Sequence, residues 1–162
     1  MRKPRILLAQ EKAVIAKTCD ALYGYDVVPV DTTIQAHRQI LKPGLDLFVI
    51  GIHFDDSNAL ELVKCIRESE HYSKTPIVMI RMLPSTLAKT LRRSVKAVRK
   101  FFEIAAYLEL EASTDPITDL RQEINKHLNK SSMNEEKQRS SEAPLLSEES
   151  YGNKAQQASI DL

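Results

Sequence analysis

Along the first 130 residues short apolar runs give way repeatedly to helical spacing, and the change of period marks the elements. Ile6-Leu7-Leu8-Ala9 is a first apolar strand, followed by a helix with Ile15, Cys19 and Leu22 at i, i+4, i+7. Tyr23-Gly24-Tyr25 breaks that helix, Gly24 being suited to a left-handed cap. Asp26 to Asp31 reads as a second strand, and its Pro29 assigns it to a sheet edge, where a missing N–H is tolerated. Ile34, His37, Ile40 and Leu41 outline a second helix, ended by Lys42-Pro43-Gly44. Leu47 to Ile50, extended backward by Leu45, is the unbroken run of a strand covered on both faces, and Gly51 follows it. Beyond an acidic loop, Ala59, Val63 and Ile66 make a third helix, with Ser57 or Asp56 available to cap it. Thr75 to Ile80 is a fourth strand, and Leu87, Leu91, Val95, Val98 and Phe102 predict a long helix from Thr86 to about Phe102. Ala105 to Leu110 is a fifth strand; Asp115 caps and Pro116 opens a last helix with Ile117, Leu120, Ile124 and Leu128 on its apolar face.

Five strands alternating with five helices predict a three-layer α/β sandwich with right-handed crossovers over residues 1–129. From about Lys130 the pattern stops, and residues 130–162 read as a disordered polar tail whose few apolar points are Leu145-Leu146 and Ile160 and Leu162. Charge sharpens this division. The 162 residues carry 23 bases and 22 acids, net +1. From Ser131 onward six acids face three bases, net −3, which leaves the rest at +4. Cys19 and Cys65 belong to no CxxC pair or cysteine–histidine cluster and read as buried free thiols of a reducing compartment. No signal peptide or membrane span is legible, so a cytoplasmic location is expected.

With Gly24-Tyr25-Asp26-Val27-Val28, Leu45 to Ile50, Ala59 to Arg67 and Lys74 to Ile80 in this order, the chain resembles the receiver domain of bacterial response regulators over about residues 4 to 128. The resemblance implies a flavodoxin-like fold: a five-stranded parallel sheet of order 2-1-3-4-5 with helices on both faces. That order puts the proline-bearing second strand at an edge, as Pro29 does independently. It also implies phosphoryl transfer to an aspartate at the end of the third strand, assisted by an acid pair after the first strand that holds magnesium. A hydroxyl after the fourth strand and a lysine after the fifth complete that machinery.

In this sequence the acceptor position falls on Gly51, the acid pair on Gln10 and Glu11, the hydroxyl on Arg81, and the lysine on Leu110 or its neighbour Glu111. Every chemical part is altered, so the resemblance is to a degenerate receiver, a pseudo-receiver with no catalytic residue, no metal and no cofactor. It is expected to act as a phosphorylation-independent adaptor in two-component-type signal transduction. The alternative keeps a phosphorelay role through an unusual acceptor on the pocket rim, Asp55, Asp56 or His53. Arg81 offers a fixed cation that would pair with Glu11, Asp55 or Asp56 at the rim. A small-molecule enzyme on the same sandwich is disfavoured, because no glycine-rich phosphate loop follows any strand.

The fourth helix is where the positive excess collects. Lys89, Arg92, Arg93, Lys96, Arg99 and Lys100 lie among residues 86 to 102 with no acid, and Lys89, Arg92, Lys96 and Arg99 share one face. Like charges at this spacing repel by a few tenths of a kcal/mol each. That cost points to an acidic protein partner, at the face of fourth helix, fifth strand and fifth helix through which receivers contact partners. A homodimer through this face is left open. Binding of nucleic acid or an anionic surface is the less favoured use, since no aromatics interleave the bases and no DNA-binding module follows. Folding back of the acidic tail onto this ridge is a further expectation.

Overall fold

The computed structural model describes the backbone of residues 2–82 and 88–141, and the side chains of 2–82, 95–130 and 133. Five parallel strands, β1 (Arg5–Ala9), β2 (Asp26–Val30), β3 (Leu47–Gly51), β4 (Ile77–Arg81) and β5 (Ala106–Glu109), form one sheet of order β2-β1-β3-β4-β5. The fold is the flavodoxin-like sandwich, with α1 (Ile15–Ala21), α2 (Thr33–Ile40), α3 (Ala59–Glu68), α4 (Ala88–Phe101) and α5 (Pro116–Ser141) around the sheet.

The pleat divides each central strand between two cores. Leu7, Phe48, Ile50, Ile77 and Met79 pack with Ala36, Ile40, Leu62 and Val63 on the α2–α3 side, where Val98 and Phe102 also join them. Ile6, Leu8, Leu47, Val49, Val78 and Ile80 pack on the other side with Leu22, Leu120 and Ile124. Burial on both faces explains the continuous apolar runs. β2 lies at the edge, and its Pro29 is exposed. Gly24, at φ 94°, makes the left-handed turn between α1 and β2.

Several local expectations are corrected. On α2, Ile34 and Leu41 are 67% and 80% exposed, while Ala36 and Ile40 are buried. The i, i+4 pair of Ala36 and Ile40 faces the sheet, and residues two before and five after Ala36 point away from it. Ile117 is likewise exposed at the start of α5. Cys19 and Cys65 are half-buried rather than buried. Neither Asp56 nor Ser57 caps α3: Asn58 occupies that position, with no side-chain cap bond among the described residues, after a tight turn at Phe54–Ser57 whose Asp55 and Asp56 are not right-handed helical. Asp115 does cap α5, accepting the Thr118 N–H at 3.2 Å.

α5 is also longer than the sequence pattern suggests. It continues through Lys130, where a disordered tail is expected to begin, to Ser141. Local preference favours the extension: Glu135, Glu136, Lys137, Gln138 and Arg139 are good helix formers, and no glycine or proline interrupts residues 117–141. Thr86 and Leu87 and the tail from residue 142, with Leu145, Leu146, Ile160 and Leu162, lie outside the described residues. Among the described residues no helix is long and apolar enough to cross a membrane.

Candidate functional site

The register of the sheet brings the carboxyl ends of four strands together: Ala9 lies beside Ile50, Gly51 beside Ile80, and Arg81 beside Glu109. In an open parallel sheet this rim is where ligands gather. Gly51, Gln10, Glu11, Arg81 and Leu110 all belong to it, as the sequence suggests.

Gln10 is fully buried and lies over Gly51. Its backbone N–H donates to the Val30 carbonyl at 3.1 Å, and its Oε1 accepts the Glu11 N–H at 3.3 Å. These bonds fold the side chain back across the end of β3. A Cβ on Gly51 would overlap Gln10 Oε1, and would come within 2.7 Å of Gln10 Cδ and 3.0 Å of Glu11 Oε2. The space in which a side chain of residue 51 would begin is therefore filled by the Gln10 amide. Among the described residues, Gln10 Nε2 and Glu11 Oε2 have no hydrogen-bond partner.

Arg81 is the last residue of β4, and its side chain is 2% exposed. Its Nη2 pairs closely with Glu111 Oε1 and lies 3.7 Å from Glu109 Oε2. This corrects the expectation of a rim cation paired with Glu11, Asp55 or Asp56. The cause is strand length: β4 runs one residue past Ile80, so Arg81 enters the sheet layer opposite Glu109. A short 3-10 turn, Leu110–Ala112, then carries Glu111 to it and buries Leu110. Two acids flanking Leu110 at the end of the neighbouring strand were the available sequence signal. Arg81 Nε and Nη1 and Glu111 Oε2 are buried without a hydrogen-bond partner among the described residues.

The other rim residues do not converge on Gly51. Asp55 reaches α2, where its Oδ2 accepts the Thr33 N–H at 2.7 Å and closely accepts the Thr33 hydroxyl. The Thr33 hydroxyl and N–H hold the Asp55 carboxyl below the usual aspartate range. Asp55, Asp56 and Ser57 are successive left-handed residues, at φ 44°, 55° and 73°. Buried Phe54 anchors this turn, and Asp56 is exposed. His53 is half-buried, its Nε2 without a hydrogen-bond partner among the described residues. Among the described residues no three histidine, cysteine or acidic groups converge to hold a metal ion. With one carboxylate after β1 and an amide in the middle, the residues present do not fit a magnesium site.

On α4, Lys96, Arg99 and Lys100 are exposed, whereas the side chains of Lys89, Arg92 and Arg93 lie outside the described residues. Arg99 is committed locally: its Nε donates to the Ile104 carbonyl at 3.3 Å and its Nη2 to the Ala105 carbonyl at 2.8 Å. Arg67, in the last turn of α3, is a structural hub. It donates to the carbonyls of Phe102 (2.8 Å), Tyr72 (3.2 Å), Thr75 (2.8 Å) and Glu103 (3.1 Å), tying α3 to the loops that enter β4 and β5. Burial pushes its pKa down and Glu103 opposes that shift.

No family model matches the sequence, and no curated protein does. Solved structures do match the fold. A CheY-like response-regulator receiver domain protein from Methanospirillum hungatei is 16% identical with a TM-score of 0.64, covering 83% of this chain and 99% of that one. A signal receiver domain of a two-component histidine kinase from Clostridium thermocellum is 16% identical with a TM-score of 0.60, covering 79% and 98%. The receiver domain of a sensor histidine kinase from Pseudomonas aeruginosa, solved with a magnesium ion coordinated in its active-site cleft, is 17% identical with a TM-score of 0.62, covering 80% and 99%. At these identities the likeness is one of fold.

Proposed function

We propose that this chain is a pseudo-receiver: an interaction module of two-component-type signalling that works without phosphorylation and is not an enzyme. The observation that carries the reading is Gln10 over Gly51. A receiver's reaction requires a carboxylate to attack phosphorus and a cation held beside it to neutralise the phosphoryl oxygens. Here the nucleophile's place has no side chain, and the space above it holds a buried amide. The buried Arg81–Glu111 pair stands where a switch hydroxyl and a lysine would answer to phosphate. A fixed internal ion pair takes the place of a reversible one, and the rim keeps a single state.

The rival acceptor Asp55 has its Oδ2 occupied by two Thr33 donors, and its turn faces α2 rather than Gly51. Function therefore moves to a surface. α4 offers Lys96 and Lys100 as exposed cations in a helix with no acidic residue, which suits an acidic protein partner in the cytoplasm. Commitment of Arg99 to backbone carbonyls lowers the case for nucleic acid.

The test is incubation of the full-length protein with acetyl phosphate and magnesium, followed by intact mass measurement. The mass should not change. A single added phosphoryl group would overturn the reading, and mapping it to Asp55, Asp56 or His53 would establish the phosphorelay alternative.

A further inference from the structure

Among the described residues the longest run of left-handed backbone lies in the turn between β3 and α3. Asp55, Asp56 and Ser57 stand at φ 44°, 55° and 73°, and three such residues in succession without a glycine are rare, because each Cβ crowds the carbonyl that follows it. Strain of this kind persists only where the surroundings hold it, and it gathers at switch regions. Local chemistry favours another path. Asp56, Ser57 and Asn58 are of the residue types preferred as helix caps, and acids suit the first turn of a helix. A right-handed course through residues 55–57 would lengthen α3 by a turn and put those side chains to that use. Instead α3 starts at Ala59, behind an Asn58 that makes no side-chain cap bond among the described residues. Conflict between local preference and the fold marks a segment with two competing arrangements.

The left-handed arrangement hangs on one tertiary clasp. The Asp55 carboxylate accepts the N–H of Thr33 at 2.7 Å and, closely, its hydroxyl, which ties the turn to the start of α2. Phe54 is buried just before the turn, whereas Asp56, Ser57 and Asn58 are exposed, so no packing opposes a change of path there. The turn also borders α4. Ser57, Ala59 and Leu60 share an apolar pocket of about 100 Å³ with Val95 and Val98, the residues on either side of Lys96 and Ala97.

We propose that residues 55–57 form a two-state latch. Clasped to Thr33, the turn is left-handed; released, it rewinds in the right-handed sense onto α3 and carries Ser57 and Leu60 to new positions relative to Val95 and Val98. The β3–α3 loop is thereby coupled to the basic helix without any phosphoryl group. The Arg81–Glu111 pair lies across β3 from the clasp, since α2 follows the β2 edge of the sheet and Glu111 follows β5, so it stays fixed in both states. A partner that binds α4 better in one state shifts the latch by that difference in affinity. This regulatory use rests on the pseudo-receiver reading; the latch itself does not.

The experiment is amide hydrogen exchange followed by NMR on the full-length protein, with the Val95 and Val98 methyl resonances recorded alongside. As the first amides of α3, those of Ala59, Leu60 and Glu61 have no intrahelical partner while the latch is clasped, and rewinding supplies the carbonyls four residues back. In Asp55→Ala, which cuts the clasp, their exchange should slow several-fold and the valine methyl resonances should shift. Glycine takes a positive φ without strain, so adding Ser57→Gly should return both toward the parent. Ser57→Gly alone should slow exchange of the Thr33 N–H several-fold, because that proton leaves its carboxylate only when the latch opens. This single variant keeps the test decisive should Asp55→Ala fail to fold. Unchanged exchange at Ala59 to Glu61 in a folded Asp55→Ala overturns the proposal, as does Thr33 exchange indifferent to Ser57→Gly. Slowed amides beside unshifted valine methyls overturn the coupling to α4. The assay contains no phosphoryl donor, so the latch and the phosphorylation-independent reading stand or fall separately.

Discussion

Gly51→Ala tests the filled site most directly. In a strand interior alanine is normally favoured over glycine by about 0.5–1 kcal/mol, so the substitution should stabilise β3 if space allowed it. Space does not allow it: the new Cβ would overlap Gln10 Oε1 and approach Gln10 Cδ to 2.7 Å and Glu11 Oε2 to 3.0 Å. Gln10 can yield only by leaving a fully buried position and giving up its bond from the Glu11 N–H. Overpacking of this kind costs about 1–3 kcal/mol. In a Gln10→Ala background the obstacle is absent, and Gly51→Ala should be neutral or stabilising. The two substitutions should therefore be coupled by about 2 kcal/mol. Urea unfolding followed by circular dichroism measures this: with m of about 1–3 kcal/mol/M, Gly51→Ala alone lowers the midpoint by roughly 1 M and the double variant recovers it. Gly51→Ala as stable as the parent, or strict additivity of the two effects, would refute the filled-site account.

Arg81 and Asp55 supply two further tests. Arg81→Ala strands the Glu111 and Glu109 carboxylates beside a 2%-exposed site and should cost about 3–5 kcal/mol, whereas Arg81→Met combined with Glu111→Gln should recover much of it. Equal stability of Arg81→Ala and the parent in thermal melts would exclude a buried pair. Bonds from Thr33 hold the folded-state pKa of Asp55 below its unfolded value, so its contribution to stability is present above about pH 4 and lost as pH falls through the depressed folded value. The gap in urea midpoint between the parent and Asp55→Asn should thus narrow in acid. A gap that stays constant from pH 6 to pH 2 would rule out that linkage.

What could be read from the chain alone was whatever local chemistry settles. The alternation of apolar runs with helical spacing dictated the βα units, and Pro29, lacking an N–H, kept β2 at the edge. Glycine at 51 removed any carboxylate from the end of β3 without reference to a structure, because no neighbour can supply a missing side chain. The resemblance, rather than periodicity, carried the strand order. Pairings between elements were a different matter. That Gln10 folds over Gly51, that Arg81 turns into the sheet toward Glu111 instead of outward to Glu11 or Asp55, and that Asp55 is spent on Thr33 each depend on contacts across 22 to 41 residues of sequence. One extra residue in β4 reversed the expected direction of Arg81. Ile34 and Leu41 show the same limit on a helix: an apolar residue records what could be buried, and only the tertiary packing of α2 on the sheet decided that Ala36 and Ile40 were. At Gly51 the sequence told what is missing; the fold alone determined what fills the space, since burial is a property of neighbours brought together by the whole chain.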